Sequence, residues 1–150
     1  MIYIILIFFI VPWITGFYLY KKAPKIFFTT APITALIAIT CNQLGIHLGI
    51  WEVNHMPTVM LLDSIFLDFG IFTLAGAWFT YFLYYKKLTR VWSYIWFVLG
   101  MTLLESITLL VEMVSYDESW NMFYTFLMYL GGFIIIDVVT QKLDKLRIFP

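Results

Sequence analysis

Five carboxylate side chains lie inside long apolar stretches of this 150-residue sequence, and four of them fall in two of these stretches. Asp63 and Asp68 share one stretch, and Glu105 and Glu112 share another. An ionisable residue in hydrocarbon costs ~2.5–3.5 kcal/mol on insertion scales, so it persists mainly where it faces a bundle interior, a partner or water. Two close carboxylates in a low dielectric cannot easily both ionise, and such a pair can bind a proton or a cation.

Helical rise predicts that two of these acids lie at similar depth. Glu105 is ~22 Å along its helix from Arg90, and Asp68 is at a matching distance from the inner end of its own helix. The two apolar stretches are antiparallel and joined by a short loop, so they should be neighbours. We therefore expect Asp68 and Glu105 to pair in the outer third of the membrane. Asp63 and Glu112 would form a second pair further out.

Other polar residues fall in the same outer half of the apolar stretches. Asn42 and His47 lie on an earlier stretch, and Asn121 begins the last one. Together with the acids they predict a polar pocket that opens toward the outer face and binds a ligand or an ion. A metal is not expected, because His47 and His55 lack the close paired spacing of metal-binding motifs. No cofactor motif is present either.

Five apolar segments must position these side chains. The chain is 63% hydrophobic and 12% charged, whereas soluble domains carry roughly 25% charge. A membrane-spanning helix needs ~20 apolar residues. These properties predict an all-α polytopic membrane protein, a single membrane domain with five transmembrane helices. The predicted spans are approximately 2–20, 32–50, 58–85, 91–114 and 120–139, followed by a tail at 140–150.

The basic residues indicate how the segments are oriented. Nine Lys and Arg residues fall in three clusters, at 21–25, 86–90 and 142–147, and the two other connections carry acids only. Five spans place all three basic clusters on one face of the membrane. Because basic loops stay in the cytoplasm, the N-terminus is predicted to lie outside and the C-terminus in the cytoplasm.

Three functions fit these features. The first is a transport or permeability component of the cell membrane, in which intramembrane carboxylates handle protons or cations. The second is a non-catalytic accessory or sensor subunit of a membrane complex. The third is an intramembrane acid–base enzyme that acts on a lipid-soluble substrate. The expected partners are the lipid bilayer and either a second copy of the chain or a membrane complex. Nucleic acid is not expected, because the basic clusters are too short.

Three short motifs resemble an uncharacterised family of small five-span membrane proteins of spore-forming Gram-positive bacteria. The motifs are the sequences at 82–87 (FLYYKK), 103–106 (LLES) and 119–126 (SWNMFYTF). Within them, Glu105, Trp120 and Asn121 match recurring positions that have no known role. The resemblance implies an integral protein of the bacterial cytoplasmic membrane with no assigned activity.

Overall fold

The computed structural model describes residues 2–57 and 59–149, and within them five helices are long and apolar enough to cross a membrane. The helices are α1 (Ile2–Lys22), α2 (Pro24–His47), α3 (Ile65–Tyr84), α4 (Arg90–Leu110) and α5 (Met122–Lys145). Two short strands, β1 (Trp51–Val53) and β2 (Val114–Tyr116), lie in the connections. The predicted fold class, an all-α bundle of five membrane helices, is confirmed. The predicted orientation of its termini stays a prediction.

The helix bounds differ from the predicted spans at several ends. α2 begins at Pro24 instead of 32, because Ala23 leaves the helical conformation and proline fits the first position of a helix. Pro32 consequently lies inside α2. α3 begins at Ile65 instead of 58, and Thr58 lies outside the described residues. α4 ends at Leu110, because the chain continues into β2.

The two acidic connections meet at one end of the bundle. β1 and β2 pair in antiparallel fashion, with Trp51 opposite Tyr116 and Val53 opposite Val114. The ring of Trp51 also lies 5.2 Å from that of Trp120, at the start of the last span. We call this strand pair with its two indole rings the lid.

The three basic clusters meet at the opposite end. Leu19 and Ile26, which flank the first cluster, share a core with Tyr81 and with Phe149 beyond the third. The tail predicted at 140–150 is therefore partly folded into the bundle. α5 continues to Lys145, and Phe149 is only 6% exposed, while Pro150 lies outside the described residues.

The third helix is the centre of the bundle. In the most apolar stretch of α3, 56% of the residues are buried, compared with 22–28% in the corresponding stretches of the other four helices. Phe79 is fully buried among residues of α4 and α5. Gly76 lies against Thr34 of α2, where an added Cβ would be 2.3 Å from the Thr34 hydroxyl oxygen. Any side chain that α3 turns inward is thus shielded from lipid.

A π-helical turn interrupts each of α1 and α3, at Leu6–Ile10 and Asp68–Phe72, and the two turns are in contact. At this contact a Cβ on Gly70 would lie 1.9 Å from the carbonyl oxygen of Phe8, so only glycine allows the observed approach. Single π turns occur frequently at functional sites. The turn in α3 begins at Asp68, the acid that the sequence places deepest in that span.

Candidate carboxylate site

Asp68 is buried on the central helix and is held by neutral donors. The residue is 1% exposed. Asn42 Nδ2 of α2 donates to Asp68 Oδ1 at 2.6 Å, and the Ser64 hydroxyl donates to Asp68 Oδ2 at 2.7 Å. Both carboxyl oxygens are therefore hydrogen-bonded. The Asp68 backbone carbonyl accepts a further hydrogen bond from the Thr73 hydroxyl, which bridges the π turn.

The neighbouring residue of α2 holds the second acid of this region. Gln43 Nε2 donates to Asp63 Oδ1 at 2.7 Å and to the Ser64 hydroxyl oxygen at 3.2 Å. Asp63 is half-buried, in contrast to Asp68. The sequence predicts that Asp68 lies deeper in the span than Asp63. The side-chain burial agrees with that expectation.

Glu105 lies between two tyrosine hydroxyls. Tyr116 of β2 donates to Glu105 Oε1 at 3.0 Å, and Tyr129 of α5 donates to Glu105 Oε2 at 2.9 Å. The Glu105 carboxylate thus joins the lid to α5. Tyr129 is itself 8% exposed and belongs to the core between α4 and α5.

The hydrogen bonds around Glu105 form a directed chain. Trp120 Nε1 donates to the Thr125 hydroxyl oxygen at 2.9 Å, and Thr125 lies 2.7 Å from the Tyr116 hydroxyl. Because Tyr116 already donates to Glu105, Thr125 is the donor in that pair. Burial first, and then the Glu105 charge, raise the pKa of the Tyr116 hydroxyl, so it keeps its proton at neutral pH. The chain therefore ends on the carboxylate as its acceptor.

The two carboxylates do not pair directly. Among the described residues their hydrogen-bond partners are separate sets, with no side chain shared between them. A small cavity of about 20 Å³ under the lid is nevertheless lined by both Asn42 and Glu105. A volume of ~10–15 Å³ is enough for one water molecule that has two to four polar partners. Asp68 and Glu105 are thus linked through Asn42 and a space the size of one water.

Three other predicted site residues lie away from this cavity lining. His47 and Glu112 are exposed, and Glu112 lies beyond the end of α4 with a positive φ of 55°. Asn121 is the N-cap of α5, where its side-chain oxygen accepts hydrogen bonds from the backbone of Phe123 at 3.0 Å and of Tyr124 at 3.3 Å. A structural role thus accounts for the Asn121 side chain.

Three contacts of the two carboxylates were not predicted from the sequence: Ser64, Tyr116 and Tyr129. Ser64 and Tyr116 lie outside the main helices, and their contacts depend on how the two connections fold. For Tyr129 a pattern was available. The buried residues Thr125, Tyr129 and Phe133 recur every four positions, which is typical of one helix face directed at a core.

Basic side chains are not part of this region. In residues 2–57 and 59–149 the structure contains one ion pair, in which Arg90 Nε lies 3.4 Å from Asp137 Oδ2. Tyr94 donates to the same oxygen at 3.1 Å. This group lies near the basic end of the bundle, away from Asp68 and Glu105. Those two carboxylates are therefore surrounded by amide and hydroxyl donors instead of cations.

The five helices and their apolar surfaces define a multi-pass integral membrane protein that resides in a lipid bilayer. Comparison with protein families, with curated proteins and with solved structures found no match to this chain. The resemblance to a five-span family of spore-forming bacteria therefore stays a prediction.

Proposed function

We propose that this protein is a small transport component of the cell membrane that moves protons, with Asp68 and Glu105 as the proton-binding groups. The observation that carries the proposal is the environment of Asp68, which is 1% exposed and held only by the Asn42 amide and the Ser64 hydroxyl. A carboxylate buried without a cationic partner is costly, and it can be neutralised by a proton.

The donor geometry favours protons over metal cations. Hard cations such as Mg²⁺ and Ca²⁺ need about six or more oxygen ligands with free lone pairs. Here each carboxylate oxygen instead receives a hydrogen bond from an amide or a hydroxyl. In the described part of the chain, no group of three or more His, Cys, Asp or Glu side chains is arranged to hold a metal ion. A proton, in contrast, binds to a single carboxylate oxygen and needs no such set of ligands.

The break in α3 supports a transport role. Transporter binding sites are often formed where a membrane helix is interrupted. The π turn of α3 begins at Asp68, and Gly70 within it has non-helical backbone angles. The cavity under the lid offers room for one water between Asn42 and Glu105. Five spans are few for a complete transporter, so we propose that two copies assemble to complete the route.

Proton flux in liposomes tests this function. Purified protein is reconstituted with a pH-sensitive dye inside the vesicles, and dye response is followed after an external acid step. Wild-type protein should accelerate acidification, and Asp68→Asn and Glu105→Gln should lose most of that effect while keeping their helical circular dichroism. Glu118→Gln is the matched control, because it removes an exposed carboxylate from the same end of the bundle.

Two results would overturn the proposal. One is the absence of flux above protein-free vesicles for the wild type. The other is a wild-type rate in Asp68→Asn, since an amide at that position cannot release a proton. An equal loss in Glu118→Gln would also count against the assignment, because it would show that surface charge alone controls the rate.

A further inference from the structure

An open groove of about 520 Å³ lies on the surface of the bundle at its basic end. Four residues from the first two turns of α2 and one residue of the tail line it: Pro24, Lys25, Phe28, Thr29 and Ile148. The volume falls within the ~300–1,000 Å³ of ordinary ligand sites. Lys25 and Phe28 are exposed, so the groove is accessible from outside the protein.

The tail forms one wall of the groove because it folds back against the beginning of α2. α5 ends at Lys145, and the chain turns at Arg147, which has a positive φ of 58°. Phe149 then enters the core that contains Ile26 of α2, and this anchor holds Ile148 beside the first turns of that helix. The wall is therefore part of the folded bundle.

The groove is cationic at one end and apolar along its length. Lys25 precedes Phe28 by three residues and Thr29 by four, a spacing that places the three side chains on one face of α2. Lysine side chains at the end of a span extend to the headgroup level. Phe28 is 67% exposed and lies ~4.5 Å further along the helix, toward the hydrocarbon. This arrangement matches a molecule with a charged head and a hydrocarbon chain.

The charge at this end of the bundle favours an anionic head. Nine Lys and Arg residues lie there, against two acids, Asp137 and Asp144, and Asp137 is paired with Arg90. Three of the lysines lie over aromatic rings: Lys21, Lys22 and Lys86. Within residues 2–57 and 59–149, Lys25 and Arg147 have neither kind of partner. A second copy of the chain would bring another cationic surface to the groove, so repulsion disfavours it.

We propose that the groove binds one anionic phospholipid from the leaflet at the basic end, with its phosphate at Lys25 and Arg147 and an acyl chain along Phe28 and Ile148. Basic residues at the membrane surface attract anionic lipids. Ammonium and guanidinium groups form strong, charge-assisted hydrogen bonds with phosphate. The apolar wall holds the chain and thereby selects a lipid over a free phosphate. This inference does not depend on proton transport.

Native mass spectrometry of the full chain in detergent tests the site. The protein is mixed with equal concentrations of phosphatidylglycerol and phosphatidylcholine that carry identical acyl chains, and the lipid retained on each chain is identified. Each of the two basic side chains should contribute about fivefold, so the first retained lipid should be phosphatidylglycerol with about 25-fold preference. Inorganic phosphate at the same concentration should not displace it, because phosphate has no chain to occupy the groove.

Three variants separate the head from the chain and the groove from the surface as a whole. Lys25→Gln/Arg147→Gln should lose the preference for phosphatidylglycerol while keeping its helical circular dichroism. Lys86→Gln/Lys87→Gln is the charge-matched control, because it removes two positive charges from the same end but outside the groove, and it should keep the preference. Phe28→Gln should weaken retention of both lipids and leave their ratio unchanged, since it removes apolar contact without changing the charge.

Four results would overturn the inference. Equal retention of the two lipids by the wild type would show that the groove does not recognise an anionic head. An equal loss of preference in Lys86→Gln/Lys87→Gln would attribute it to the total surface charge. Displacement by inorganic phosphate, or full retention in Phe28→Gln, would remove the acyl chain from the groove. If Lys25→Gln/Arg147→Gln does not fold, Lys25→Gln alone decides: a fivefold lower preference supports the site, and an unchanged preference refutes it.

Discussion

Replacing Gly70 with alanine tests whether α1 and α3 are held as close as the structure places them. The new Cβ would lie 1.9 Å from the Phe8 carbonyl oxygen, and ordinary contact begins near 3.4 Å. The helices would have to separate by the difference, about 1.5 Å. Overpacking costs ~1–3 kcal/mol, and here the obstacle is backbone that cannot rotate away. We therefore expect Gly70→Ala to lower the free energy of unfolding by an amount near the upper end of this range, ~3 kcal/mol, which raises the unfolding constant about 100-fold.

The measurement is reversible unfolding in mixed micelles with increasing SDS, followed by far-ultraviolet circular dichroism and tryptophan fluorescence. Gly100→Ala is the matched control, since a Cβ there meets no atom within 4 Å and alanine favours a helix over glycine by ~0.5–1 kcal/mol. The two substitutions should therefore change stability in opposite directions. If Gly70→Ala were as stable as Gly100→Ala, the contact between the two π turns would be refuted.

Two further substitutions test contacts at the ends of the bundle. Asn121→Ala should lower the free energy of unfolding by ~1 kcal/mol, because it removes the N-cap of α5, and Asn121→Asp should retain most of the stability. A loss of proton flux in folded Asn121→Ala would instead indicate a role beyond capping. Arg90→Met should lower the free energy of unfolding by ~1–2 kcal/mol, because it leaves the Asp137 carboxylate, 6% exposed, without its ion-pair partner. The loss is modest because the Arg90 guanidinium is 55% exposed and water screens the ion pair. Adding Asp137→Leu to Arg90→Met should recover part of that loss. A double variant that is less stable than Arg90→Met would contradict the pairing. The Asn121 and Arg90 variants are all measured by the same unfolding assay.

The number of membrane helices was predictable because lipid imposes a length and a composition on every span. Helix ends were less predictable, because local backbone chemistry decides them. Proline at 24 is compatible with either a loop or the first turn of a helix, and the conformation of Ala23 decides in favour of the helix. The π turns had no visible sequence pattern apart from Gly70. The pairing of β1 with β2 joins connections that are far apart in the sequence.

The predicted site stays a prediction, and the sequence indicated the burial of its acid on α3 better than the hydrogen-bond partners of that acid. Asp68 could be identified as the deepest acid of its span from helical rise alone. Its distance from Glu105 could not, because helical rise fixes height along an axis and leaves the rotation of each helix free. The rotation of α4 and α5 directs Glu105 toward Tyr129, and the fold of the second acidic connection adds Tyr116. Such contacts follow from tertiary packing.

Basic residues lie at one end of the bundle and most acids toward the other. This separation underlies both the predicted orientation in the membrane and the uncharged surroundings of Asp68 and Glu105. The three basic clusters gather at one end, so the acids near the other end lie beyond the reach of those cations. Had an arginine been placed beside Asp68, it would hold the carboxylate permanently in its charged form. The Asn42 amide and the Ser64 hydroxyl can hydrogen-bond with either form of the acid. These donors would keep Asp68 in position with or without a proton, as the proposed role in proton transport requires.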